Sequence, residues 1–122
     1  GAVRSGYLEA LAEAGEKEKV EPRLAQAIAG GTREEAARAQ MIRSAYRMAA
    51  GDVEGALYDA IRTFRFFKEF KGLAAEGAFR AGEALDKLGE PDQARAYYDQ
   101  LVREFPESVY AARAKVKAEA KP

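Results

Sequence analysis

Cysteine, histidine and tryptophan are all absent from the 122 residues, and the first two absences exclude most of the common enzyme chemistry. Without cysteine there is no disulfide, no thiolate nucleophile and no sulfur-ligated metal, and the redox compartment is left open. Without histidine as well, Ser-His and Cys-His triads, most zinc sites and the usual general base at neutral pH disappear. Net charge is zero, from 20 basic and 20 acidic side chains, so no global field gathers nucleic acid or anionic lipid. Long apolar runs are missing too: nothing approaches the roughly 20 residues that a membrane helix needs, and no secretory leader is read. The chain opens on Gly1 instead of a methionine, so an excised fragment or processed product is expected. β-Branched residues are scarce and strand-type alternation appears nowhere.

What is present is helical. Hydrophobic residues make up 48% and charged residues 33%, and alanine, glutamate, lysine, arginine and leucine dominate, the composition of packed helices in one globular domain. Gly15, Gly30-Gly31, Gly51, Gly72, Gly89 and Pro106 punctuate the chain, predicting about seven helices joined by tight turns. Thr32-Arg33-Glu34-Glu35 spells a capping box, and Asp52 is placed to cap a helix running from Val53 through Phe70. Pro91 suits a first helical position, where its missing N–H is harmless, and Pro22 and Pro106 are read in the same way. Apolar residues recur at three- and four-residue intervals, as in Met41, Ala45, Met48 and Ala49, and in Ala94, Tyr97, Tyr98, Leu101 and Phe105. Leu57, Ile61, Phe64, Phe66, Phe67 and Phe70 spread over more than one face, so their helix is expected to be central and covered from two sides.

A ruler of about 34 residues, the period of the tetratricopeptide repeat, places the signature glycine at Gly82. In that frame Leu85 takes the tyrosine place, Ala94 the alanine, Tyr98 the aromatic and Pro106 the proline, with Gly89 at the inter-helix turn. Ala78 and Ala81 depart from the tryptophan and leucine places. Residues 75–108 thus resemble a tetratricopeptide repeat, and the run from Leu101 to Lys115 is similar to bacterial envelope members of that family, of the Tol-Pal coordinating and outer-membrane assembly lipoprotein type. The resemblance implies an all-α fold, a right-handed superhelical stack of antiparallel helix hairpins. It divides the single domain into a degenerate hairpin at 1–34, with Val20, Leu24 and Ala27 inward, a divergent repeat at 37–70, the best match at 75–108 and a capping helix at 109–122. Matching FKEFKG to VREFPE gives an offset of 35, which puts three extra residues inside the second helix of the divergent repeat and lengthens it by nearly a turn.

The same resemblance implies a scaffold that binds a protein or peptide segment in a concave groove, with no catalysis, no cofactor and no metal. The family's exposed groove places fall on Arg38, Met41, Ala45, Met48 and Ala49, then on Glu76, Phe79, Glu83, Asp86 and Lys87. Met41, Met48 and Phe79 are expected to give adaptable apolar contact with Phe79 as anchor, though Met and Phe at helical spacing are more often core than binding surface, Met41 and Met48 above all. Glu76, Glu83 and Asp86 would form an acidic rim that favours a basic or amphipathic segment. A periplasmic or envelope address is slightly favoured by the resemblance.

Three rival readings come from the residues themselves. The weakly matched first hairpin suits self-association or assembly into a larger protein. Arg62 to Lys71 interleaves basic residues with four phenylalanines, a pattern used on single-stranded nucleic acid, but the zero net charge argues against it. Glu34-Glu35, Glu76 with Glu83, and Tyr97-Tyr98 form no ligand or acid-base pattern beyond what a solvated helix face explains.

Overall fold

The computed structural model describes residues 17–119, and the expected first helix, within residues 1–16, lies outside them. Six helices follow one another: α1 (Lys17–Gly30), α2 (Arg33–Ala49), α3 (Val53–Phe66), α4 (Lys71–Lys87), α5 (Pro91–Glu104) and α6 (Val109–Glu119). No strand occurs among the described residues, and each helix packs on the next in antiparallel hairpins, the expected all-α stack.

The start signals act as local chemistry dictates. The Thr32 hydroxyl accepts from the Glu35 amide at 3.1 Å, and the Glu35 carboxylate accepts from the Thr32 amide at 3.0 Å. The backbone N–H of Thr32, and secondarily its hydroxyl, hold the Glu35 carboxyl down at about 2. Asp52 caps α3 by accepting from the Gly55 amide at 2.9 Å, and Pro91 opens α5. The two hairpin turns are the same turn twice. Gly51 and Gly89 sit at φ +88° and +78°, each followed by a residue whose N–H bonds back to the helix, Asp52 to the Arg47 carbonyl and Glu90 to the Leu85 carbonyl. This is a Schellman stop, and its left-handed residue needs the freedom of glycine.

Two prolines differ from the sequence reading. Pro22 lies inside α1 and Pro106 in the turn between α5 and α6. Pro22 has no N–H to donate, so it forfeits one bond of the α1 ladder.

A larger correction concerns the repeat length. α2 and α4 start at Arg33 and Lys71, α3 and α5 at Val53 and Pro91, and α6 at Val109, a constant step of 38 residues. α3 and α5 have equal length, 14 residues each, so no extra turn is inserted and the offset of 35 is the wrong register. α3 ends at Phe66 and not at Phe70. Phe67 closes it as Phe105 closes α5, each donating its N–H to the carbonyl four residues back, Thr63 and Leu101. The chain then turns through residues 67–70, where Phe67 is buried with Ala36 and Ala37 while Phe70 and Leu73 pack alongside. Arg33 fastens this turn: its guanidinium donates to the Phe66 carbonyl, pairs with Glu69 at 2.6 Å, and lies 4.6 Å over the Phe67 ring.

Between elements, small residues set the spacing. At Gly77 a Cβ would stand 2.8 Å from the Ala60 carbonyl oxygen, so α3 and α4 touch backbone to backbone. At Gly82 a Cβ would stand 2.3 Å from the Tyr98 ring, which lies across the glycine between α4 and α5. Tyr98 is 1% exposed and donates its hydroxyl to the Asp86 carboxylate at 3.1 Å. Burial, and secondarily the Glu83 charge, push its phenol up to about 12. Phe64, Phe79, Tyr98 and Leu101 form the main core with the alanines of α4 to α6, while Val20, Leu24 and Ala27 turn inward from α1.

The α2–α3 hairpin is held differently. Asp59 on α3 is fully buried and accepts from Arg43 at 3.0 and 2.7 Å, from Arg47 at 3.2 Å and from Gln40 at 3.2 Å, all on α2. One repeat later the same positions carry Tyr97, Ala81, Leu85 and Ala78. The α2–α3 contact is therefore polar where the α4–α5 contact is apolar. Such a network gives directional pairing at a desolvation cost, here offset by four donors on one carboxylate.

Candidate functional site

The helices form two layers. α2 approaches α4, and α4 approaches α6, whereas no Cα of α3 comes within 8 Å of one in α1 or α5. Closer approach on the α2/α4/α6 side means that the stack bends toward it, so these three helices line the inner face and α1, α3 and α5 splay outward. The family's groove places belong to this inner layer.

The side chains there do not all reach the surface. Phe79, expected as an exposed anchor, is 2% exposed, packed against Tyr98 and Tyr110 with ring centroids 5.9 and 5.6 Å away. α6 covers it: the Arg113 guanidinium lies 4.6 Å and the Lys117 amine 5.5 Å from its centroid. Met41, at 3% exposure, is likewise interior, packed with Ala60 and Ala81 beside Leu57 and Tyr97. Met48 and Ala45 are half-buried and Ala49 is exposed. Both fully buried residues thus follow the core reading of their helical spacing.

The charged residues stay at the surface and find partners within the chain. Arg38 pairs with Glu34 at 2.8 Å, Glu76 with Arg80 at 2.7 Å, and Glu83 with Lys117 at 3.3 Å. Asp86 is engaged by the Tyr98 hydroxyl and so locks the α4–α5 hairpin, while Lys87 is exposed. Three cations missing from the sequence-derived set, Arg80, Arg113 and Lys117, therefore belong to this face. Lys117 was findable, because it stands 38 residues after Phe79, as Phe79 stands 38 after Met41. The inner face is a charged lattice over an aromatic floor, and its acidic rim is neutralised from α4 and α6.

Shallow depressions lie elsewhere among the described residues. One, about 390 Å³, runs between α5 and α6 beside Val102, Lys115 and Ala118. Another, about 520 Å³, lies on the outer side of α3, between Leu57, Tyr58, Ile61 and Leu88 with Glu54 and Glu90 on its rim. Among the described residues no three acidic side chains gather as metal ligands, and no helix is long and apolar enough to cross a membrane.

No curated protein and no solved structure matches the chain. A family model does match, that of the tetratricopeptide repeat, over residues 76–108. The matched segment runs from within α4 through the Gly89 turn to the end of α5 and the Pro106 turn, the hairpin whose glycine–tyrosine contact has just been described. Residues 76–108 therefore match a tetratricopeptide repeat, set in an all-helical stack, and the match supports a protein–protein interaction module in general terms.

Proposed function

We propose that the inner face of α2, α4 and α6 binds an amphipathic, basic segment of a protein partner, and that the chain carries out no chemistry of its own. The observation that carries this reading is the row of part-exposed ion pairs along α4 and between α4 and α6, Glu76 with Arg80 and Glu83 with Lys117. Packing does not require them: the floor beneath is already closed by Phe79, Tyr98 and Tyr110. Exposed pairs of this kind contribute little to stability, about 0–1 kcal/mol each. A partner's lysines and arginines can thus exchange with Arg80 and Lys117 at little expense to the fold. Half-buried Met48 and the methylene stems of Arg38, Lys87 and Arg113 supply the apolar part of the contact. An envelope address, carried by the Leu101 to Lys115 run, is part of the proposal and is checked by fractionating cells that make the protein.

Peptides selected from a random display library on the wild-type chain test the groove. Those peptides should be enriched in lysine and arginine, and the double reversal Glu76→Lys with Glu83→Lys should weaken them about tenfold or more. Equal binding to both proteins would refute the groove.

A further inference from the structure

The 38-residue step allows one outer helix to be compared with another, position by position, in the same chain. On α5 the outward positions are polar or small, as a solvated surface requires. On α3 they are not: Tyr58, Ile61 and Phe66 stand where α5 carries Ala96, Asp99 and Glu104. Tyr58 is 54% exposed and Phe66 56%, and Leu88 extends the same patch at 38%. The Arg62 guanidinium lies between the two rings, 5.6 Å from one centroid and 5.2 Å from the other. Repeat packing does not call for this surface, because α5 performs the same packing without it. An exposed apolar patch that the fold does not use marks a contact with something else.

Its charges say what. Glu54 and Glu90 lie at the N-terminal end of the α3 face, Arg62 and Arg65 toward its C-terminal end. Among the described residues neither Glu54 nor Arg62 has an ion-pair partner, and Arg65 reaches only the neutral Tyr97 hydroxyl, at 3.2 Å. Glu54 and Arg65 are separated by about 16 Å of helix, too far to pair within one chain. We propose that a second copy of this chain docks here, α3 against α3 in antiparallel order across a two-fold axis. That order sets Glu54 against the partner's Arg65 and Tyr58 against the partner's Arg62, twice over, and opposes the two helix dipoles. Parallel docking would set acid on acid and base on base. The face is distinct from the inner groove, so either assignment can fail without the other.

A contact made mainly by one helix is smaller than a standard interface, so the dimer is weak, with a dissociation constant on the order of 100 µM. Sedimentation equilibrium of the full chain from about 1 µM to about 1 mM brackets that value. Wild type should move from monomer to dimer across the range. A triple variant that copies α5, Tyr58→Ala, Arg62→Gln and Phe66→Glu, should stay monomeric with unchanged helical circular dichroism. Glu54→Arg and Arg65→Glu should each weaken the dimer by roughly three- to tenfold, because symmetry counts every change twice, and together they should restore it. If the triple variant loses helicity, the charge pair decides alone. A wild type that remains monomeric at about 1 mM, a folded triple variant that still dimerises, or a charge swap without rescue would each overturn the proposal.

Discussion

Replacing Gly82 by alanine adds one methyl group to the closest contact between α4 and α5, and the sign of its effect separates packing from helix propensity. Propensity alone favours the change by about 1 kcal/mol, since glycine is a poor residue inside a helix. Packing opposes it. The new Cβ would stand 2.3 Å from Cε1 of Tyr98, 2.6 Å from Cζ and 2.8 Å from Cδ1. Tyr98 cannot swing aside freely, because it is 1% exposed, contacts Phe79 and is tied through its hydroxyl to Asp86. Overpacking of this kind costs about 1–3 kcal/mol, and the short distances put it toward the upper end. The net expectation for Gly82→Ala is a loss of about 1–2 kcal/mol, a drop of roughly 5–10 °C in the melting midpoint. Gly72→Ala is the control. Gly72 also lies in α4, but nothing stands within 4 Å of its Cβ position, so the same substitution should stabilise by a few tenths to about 1 kcal/mol. Both are read by urea denaturation followed by circular dichroism. Tyr98→Leu, destabilising alone, should remove most of the Gly82→Ala penalty in a double-mutant cycle. If Gly82→Ala proves as stabilising as Gly72→Ala, the glycine–tyrosine contact does not hold the hairpin as described.

Other consequences follow from the polar contacts. Asp59→Ala should destabilise by about 2–3 kcal/mol in the same assay, less than for a fully enclosed pair because Arg43 and Arg47 can turn toward water. Thr32→Ala should cost about 0.5–2 kcal/mol and raise the Glu35 carboxyl, which nuclear magnetic resonance titration of that side chain would register. Because the folded-state Glu35 is held at about 2 against an ordinary 4.5, its contribution is complete above 4.5 and disappears as pH falls toward 2. Tyr98 has the opposite sign. Its phenol is raised from 10 to about 12, so stability should decline as pH climbs through that interval, with one tyrosine ionising late in ultraviolet titration.

Legibility in the sequence followed the range of the interactions. Thr32, Asp52, Pro91 and the two turn glycines act on backbone groups a few residues away, and the helices begin and stop where those residues place them. Gly82 with Tyr98 was readable only as a family pattern, since nothing local brings a glycine of one helix to a ring of the next. The end of α3 was not readable. No glycine or proline interrupts the chain between Phe66 and Lys71, and Phe67 and Phe70 extend the helical spacing of the aromatic residues before them. The stop comes from tertiary contacts, the burial of Phe67 on Ala36 and Ala37 and the grip of Arg33 on the Phe66 carbonyl and Glu69. Because Phe67 and Phe105 both close helices, the correct step is 38, and the FKEFKG match hid it by aligning the wrong phenylalanines.

Phe79 teaches the same lesson at the candidate site. Its place on the inner helix follows from the repeat frame, but its exposure depends on how closely α6 approaches. Ala111 and Ala114, both fully buried, let that helix settle low enough for Tyr110, Arg113 and Lys117 to cover the ring. A chain of alternating small and charged residues reads as a solvated cap, and only the packed structure reveals that its cations roof an aromatic side chain. The charges of the inner face were visible from the start. Their pairing across α4 and α6 was not, because Glu83 and Lys117 are 34 residues apart.

The central claim, that a protein segment is held by the inner layer of the stack, is tested most directly by mapping a display-selected peptide onto the chain by amide chemical-shift perturbation. Changes should cluster on Arg38, Met48, Glu76, Arg80, Glu83, Arg113 and Lys117, with the outward faces of α3 and α5 silent. Perturbations confined to those outward faces, with Glu76 and Glu83 unmoved, would contradict it.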